Sequence, residues 1–134
     1  MIKPYGTVPC LISVSDLHLS DTSPAIRAGE PSWYAAMQRP LEEVRGLAEK
    51  YRCPIVYPGD IFDDAEPNPE TVNFALQYLP SGYAVPGQHD LKHHRYNDIK
   101  KTAYWTLVEA GILTNLVYGE PISTGQLRFH GFPW

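Results

Sequence analysis

The chain has 134 residues, enough for one ordinary domain. Hydrophobic residues make up 43% and charged residues 19%, which excludes a disordered acidic tail. Eleven basic against fifteen acidic side chains leave a net charge of −4, so the chain lacks the positive field of a free-standing nucleic-acid binder. A phosphate-bearing partner then needs cationic charge from elsewhere, such as bound metal.

No run approaches the roughly 18 apolar residues of a spanning helix. Met1–Val14 lacks a basic start followed by a long apolar stretch, so neither a membrane anchor nor a secretory signal is expected. Leu11-Ile12-Ser13-Val14-Ser15 reads as a buried strand running into the polar Asp16-Leu17-His18. Residues 21–31, rich in Pro, Ser and Gly, form a surface loop. A helix in two pieces follows. Pro40 suits a first helical position, and Leu41, Val44, Ala48 and Tyr51 then recur on one face. Pro54-Ile55-Val56-Tyr57 is a second strand running straight into Pro58-Gly59-Asp60. Asn68-Pro69 opens a helix through about Leu79, with Asn68 as its cap.

Tyr83-Ala84-Val85 is a third strand, again ending in a Pro-Gly turn. Residues 98–110 are expected as one helix, with Ile99, Ala103, Leu107 and Ala110 inward and Gly111 as the stop. Further strands are expected within 112–117 and 127–132. Alternating strands and helices imply an α/β fold, a mostly parallel sheet flanked by helices on both sides. Cys10 and Cys53, isolated beside strands, read as buried free thiols rather than zinc ligands or a disulfide framework. They fit a reducing, cytoplasmic setting. Trp33, Tyr34, Tyr104 and Trp105 read as packing residues, and His130 as structural.

Ligands in such sheets bind at the carboxyl ends of the strands, and three strands there run directly into chemistry-bearing loops. The first carries Asp16 and His18, which alternation along an extended chain points the same way. The second carries Gly59-Asp60-Ile61-Phe62-Asp63, its glycine turning Asp60 toward the strand ends. The third carries Gly87-Gln88-His89-Asp90. Mixed carboxylate, amide and imidazole donors suit Mn, Fe or Zn better than calcium. Each motif alone is common. The three together, in register, are not.

The ordered set resembles the calcineurin-like metallophosphoesterase family. Its wording is nearer still to the SbcD-type nuclease subunits of DNA repair: Ser15-Asp16-Leu17-His18-Leu19, Pro58-Gly59-Asp60-Ile61-Phe62-Asp63 and Val85-Pro86-Gly87-Gln88-His89-Asp90-Leu91. The resemblance implies two divalent metal ions, Mn²⁺ first with Fe or Zn as alternatives, bridged by Asp60. Asp16 and His18 would hold one ion, and Gln88, standing where the family has asparagine, the other. His89 would be general acid or phosphate contact, oriented by Asp90, with Asp63 supporting the site. The implied chemistry is in-line attack of a metal-bound hydroxide on a phosphodiester.

Gln88 has one methylene more than asparagine, which shifts its amide by about 1.5 Å. The family's later GHxH-like element is not found before Trp134, so residues 1–134 read as a single truncated domain, the N-terminal half of a metallophosphoesterase sandwich. Little phosphodiesterase activity is expected of such a half alone. DNA is the first substrate, and an SMC-like ATPase the partner the resemblance suggests. A phosphatase or nucleotide phosphodiesterase of the same superfamily, or a non-catalytic remnant, are the alternatives. His93 and His94 read as a solvated loop pair with phosphate contact as the rival role. An uncovered sheet face near residues 112–132 is expected to drive homodimerisation or pairing with a C-terminal fragment, through Leu116, Phe132 and Trp134.

Overall fold

A computed structural model describes residues 8–133. Four short strands form one parallel sheet in the order β1 (Ile12–Ser13), β2 (Ile55–Tyr57), β3 (Gly82–Ala84), β4 (Leu113–Asn115). Between them run three helices, α1 (Trp33–Tyr51), α2 (Pro69–Tyr78) and α3 (Ala103–Glu109). The expected parallel sheet flanked by helices is therefore present.

The helices lie in one layer, not on both sides. Strands in strictly sequential order, joined by right-handed crossovers, return each helix to the same face. The pleat agrees. Ile55, Tyr57, Ala84 and Leu113 point to the helices and are buried, whereas Ser13, Val56, Tyr83 and Thr114 point the other way and stay at least partly exposed. Tyr57 gives its hydroxyl to the Pro80 carbonyl at 2.7 Å, and Tyr104 on α3 gives its own to Asn115 Oδ1 at 2.7 Å. Burial pushes both phenols far above the usual tyrosine range.

Helix α1 is continuous where a break was expected. Ser32 caps it, its Oγ accepting the Ala35 N–H, and Pro40 sits inside. Proline removes one ladder bond and crowds the preceding turn. Packing of Ala36, Met37 and Leu41 against the core on both sides of Pro40 holds the helix through that defect. Helix α2 starts as expected, with Asn68 Oδ1 accepting the Thr71 N–H at 2.9 Å. The third helix was expected in one piece and has two. A 3₁₀ segment over Tyr96–Lys101 ends at Thr102, whose extended backbone and side-chain acceptor start α3 afresh.

A hairpin of β5 (Ile122–Thr124) and β6 (Leu127–Phe129) follows, turning at Gly125 with φ 55°. The first of these strands was not anticipated. The hairpin leans on the face away from the helices, bringing Phe129 within 4.8 Å of the Tyr83 ring. Phe132 remains 71% exposed beside Tyr118, but Leu116 is buried against Gly131 and so is no free contact residue; Trp134 lies outside the described residues. His130 falls just past β6 and is exposed. Cys10 is exposed rather than buried, because β1 begins only at Ile12; Cys53 is half-buried, and both thiols are free. Tyr104 is fully buried, and Trp33, Tyr34 and Trp105 pack against the core as expected. No helix among the described residues is long and apolar enough to cross a membrane.

Candidate metal centre

The chain does not stay extended after β1. Asp16 and His18 both take left-handed backbone, at φ 55° and 45°. Pleat alternation is therefore not what brings them together. Backbone bonds do so instead. The Asp16 N–H donates to the Gly59 carbonyl (3.2 Å), that of His18 to Asp60 (3.1 Å) and that of Leu19 to Ile61 (2.8 Å), while Asp63 returns a bond to the Leu19 carbonyl (3.2 Å). The first loop is thereby laid along the second.

Asp60 is also left-handed, at φ 52°, behind Gly59 at φ 121°. A side chain on Gly59 would bring its Cβ to 2.9 Å from the Gly87 Cα, and one on Gly87 would overlap Asp60 Oδ1 and its amide nitrogen. Both positions need glycine so that the second and third loops can touch. With that contact made, Asp60 Oδ1 accepts the His89 N–H at 3.0 Å.

Two overlapping sets of donors result, Asp16–His18–Asp60 and His18–Asp63–His89. Within each set, one ligand atom from every residue lies within 4.8 Å of the others. His18 belongs to both, with Nδ1 3.0 Å from Asp63 Oδ1 and Nε2 3.9 Å from Asp16 Oδ1. A carboxylate can only accept, so Nδ1 carries the proton and the Nε2 lone pair, on the Asp16 side of the ring, would be left for a metal ion. Two carboxylates and an imidazole, part-exposed, are a fitting donor set for a borderline divalent ion. Asp63 fixes the ring that would hold it, as outer carboxylates do at metal-bound histidines.

The His89 ring stands edge-on to His18, centroids 4.9 Å apart, and its Nδ1 lies 3.1 Å from the Asp63 carbonyl oxygen. The expectation that Asp90 orients His89 is thus corrected. Asp90 turns inward instead, fully buried, and its carboxylate accepts from Gly87 N–H (2.9 Å), Ile61 N–H (3.2 Å) and Phe62 N–H (2.9 Å). Burial holds its carboxyl above the usual range, with those three donors pulling the other way. Its work is to bolt the third loop onto the second. Gln88 is exposed, its Nε2 3.4 Å from His89 Nε2. The sequence had no way to announce that a backbone carbonyl, that of Asp63, holds the His89 ring.

A family model described as calcineurin-like phosphoesterase matches residues 11–133. The chain belongs to the calcineurin-like phosphoesterase family. A search of curated proteins gave no match. The match covers the sheet and all three ligand-bearing loops, so this phosphoesterase domain is a hydrolase domain for metal-dependent cleavage of phosphoesters. Asp63 would act on an ion held by His18 only through that ring, so Asp63→Ala is expected to weaken Mn²⁺ binding about tenfold in a calorimetric titration, the lower end of the range for such outer partners. An unchanged isotherm would remove Asp63 from the metal centre.

Proposed function

We propose that the domain cleaves phosphodiesters of DNA, as a nuclease of the SbcD type using a pair of Mn²⁺ ions. The observation that carries this reading is the wording of the three converging loops, 15–19, 58–63 and 85–91, read together with their meeting at His18. Divalent ions bound here supply Lewis-acid stabilisation of phosphoryl oxygens and make water acidic enough to attack near neutral pH. Asp16, His18 and Asp60 hold one ion. Gln88, its amide nitrogen 3.4 Å from His89 Nε2, would offer its oxygen to a second ion, and Asp60 would be the ligand shared with it.

His89 sits where it can give a proton to the departing oxygen or grip a phosphoryl oxygen. Asp63 fixes the His18 ring, and Asp90 holds the two loops in register. By the same resemblance the domain works in the cytoplasm beside an SMC-like ATPase. A second copy of the chain or a separate C-terminal fragment packs on the exposed Phe132.

The net charge of −4 gives a direct test, since the chain alone should repel DNA. Fluorescence anisotropy of a labelled DNA duplex is expected to rise with protein only when Mn²⁺ is present, and not at all with Asp60→Asn. Any hydrolysis should favour bis-p-nitrophenyl phosphate over p-nitrophenyl phosphate. Preference for the monoester, with no Mn²⁺-dependent DNA binding, would favour the phosphatase reading and overturn the nuclease.

A further inference from the structure

The loop that follows the first ligand-bearing segment, residues 21–31, is exposed almost throughout. Its backbone bonds are local, Arg27 N–H to the Pro24 carbonyl and Ala28 N–H to that of Ala25. Its far end leans on α1 through Glu30 and Arg39. At the near end, among the described residues, one hydrogen bond ties residues 20–29 to another element: Asn68 Nδ2 donates to Asp21 Oδ2 at 2.6 Å.

Asn68 is not free to turn its amide over. Its Oδ1 already accepts the Thr71 N–H at 2.9 Å and the Thr71 hydroxyl at 3.0 Å, which leaves Nδ2 for the carboxylate. Thr71 is fully buried, and with its proton given to Asn68 it accepts from the Tyr34 hydroxyl on α1 at 2.9 Å. The amide is therefore held by two helices at once. Asp21 for its part keeps Oδ1 for the Thr22 hydroxyl at 3.0 Å.

Two residues before Asp21, the Leu19 carbonyl accepts the Asp63 N–H at 3.2 Å, and Asp63 Oδ1 lies 3.0 Å from His18 Nδ1. Slack at Asp21 thus reaches the His18 ring by two routes, along the chain and through Asp63. We propose that Asn68 and Asp21 are positioning residues of the metal centre, the pair that keeps the exposed loop from drawing the His18 ring out of place. The inference rests on the reading of Asp16, His18 and Asp60 as metal ligands.

The experiment reverses the polarity of the pair. Asn68→Asp keeps the acceptor that caps α2, and aspartate caps a helix as well as asparagine does, but it sets two carboxylates face to face. Mn²⁺ binding by calorimetry is expected to weaken about fivefold, the size of one net hydrogen bond. The added negative charge alone would tighten the hold on a cation, so the sign separates lost positioning from simple attraction. When Asn68→Asp is combined with Asp21→Asn, the new amide can donate to the new carboxylate and the net charge is that of the parent. Parent affinity should return. In the metal-free proteins, nitrogen NMR of the His18 ring should show the proton on Nδ1 in the parent and the double variant, and a mixture of tautomers in Asn68→Asp. Unchanged or tighter Mn²⁺ binding in Asn68→Asp would overturn the proposal, as would a double variant no better than the single one, or an unaltered His18 ring. If the parent takes up no Mn²⁺, the metal centre itself fails and the proposal with it.

Discussion

Asp90→Ala is expected to cost on the order of 3 kcal/mol of stability or more, read as a lowered urea midpoint at unchanged slope. The carboxylate serves three backbone donors, two from the second loop and one from the third, and the site is fully buried. Alanine leaves all three N–H groups without a partner in a place water does not reach, and each such group is costly. Asp90→Asn should fall between, since its amide oxygen can accept while its NH₂ faces donors. Metal affinity should drop together with stability, because Asp60 and His89 are carried on the two loops that Asp90 ties. A loss below about 1 kcal/mol would show that the loops hold their register without it.

The second large effect is at Asp60. Asp60→Asn is expected to weaken Mn²⁺ binding by roughly 100-fold or more, beyond the range for groups that act through another ligand. The amide removes a full negative charge from a set that has only two carboxylates beside His18. The fold should survive, since the side-chain oxygen can still accept the His89 N–H and asparagine is at home in left-handed backbone. Isothermal calorimetry with Mn²⁺, alongside a thermal melt of the apo protein, separates the two effects. Equal affinities for the variant and the parent would place the ion elsewhere.

Much of this site was legible because its motifs sit directly after strands, where the chain has little freedom. Asp16, His18, Asp60, Asp63 and His89 do converge. Pleat alternation is nonetheless not what brings Asp16 and His18 together. Two left-handed residues stand where a continuing strand would keep its pleat, and Asp and His, though more tolerant of that backbone than most, adopt it too seldom to mark it in a sequence. Asp90 differs for a related cause: its position next to His89 suggests a partnership, whereas two of its three donors, Ile61 and Phe62, lie 29 and 28 residues away in sequence. Pro40 and Thr102 show local signals losing to packing in one case and winning in the other. Pro40 is overridden because Met37 and Leu41 bury on the same face, while Thr102 ends one helix and caps the next. The single helical layer follows from strand order, which no window of sequence contains.

Asp16, His18 and Asp60 share one more property, their left-handed backbone. For each of them glycine or asparagine would be the more comfortable residue, by up to about 1 kcal/mol. Folding stability and metal capture thus pull these three positions in opposite directions. In a lineage that stopped using the metal, that opposition would be gone, and Gly or Asn at Asp16 and His18, with Asn at Asp60 where a side-chain oxygen still accepts the His89 N–H, would accumulate while the strands and the buried Asp90 stayed as they are. A reader of such sequences could tell a retired phosphoesterase from a working one by these three positions alone.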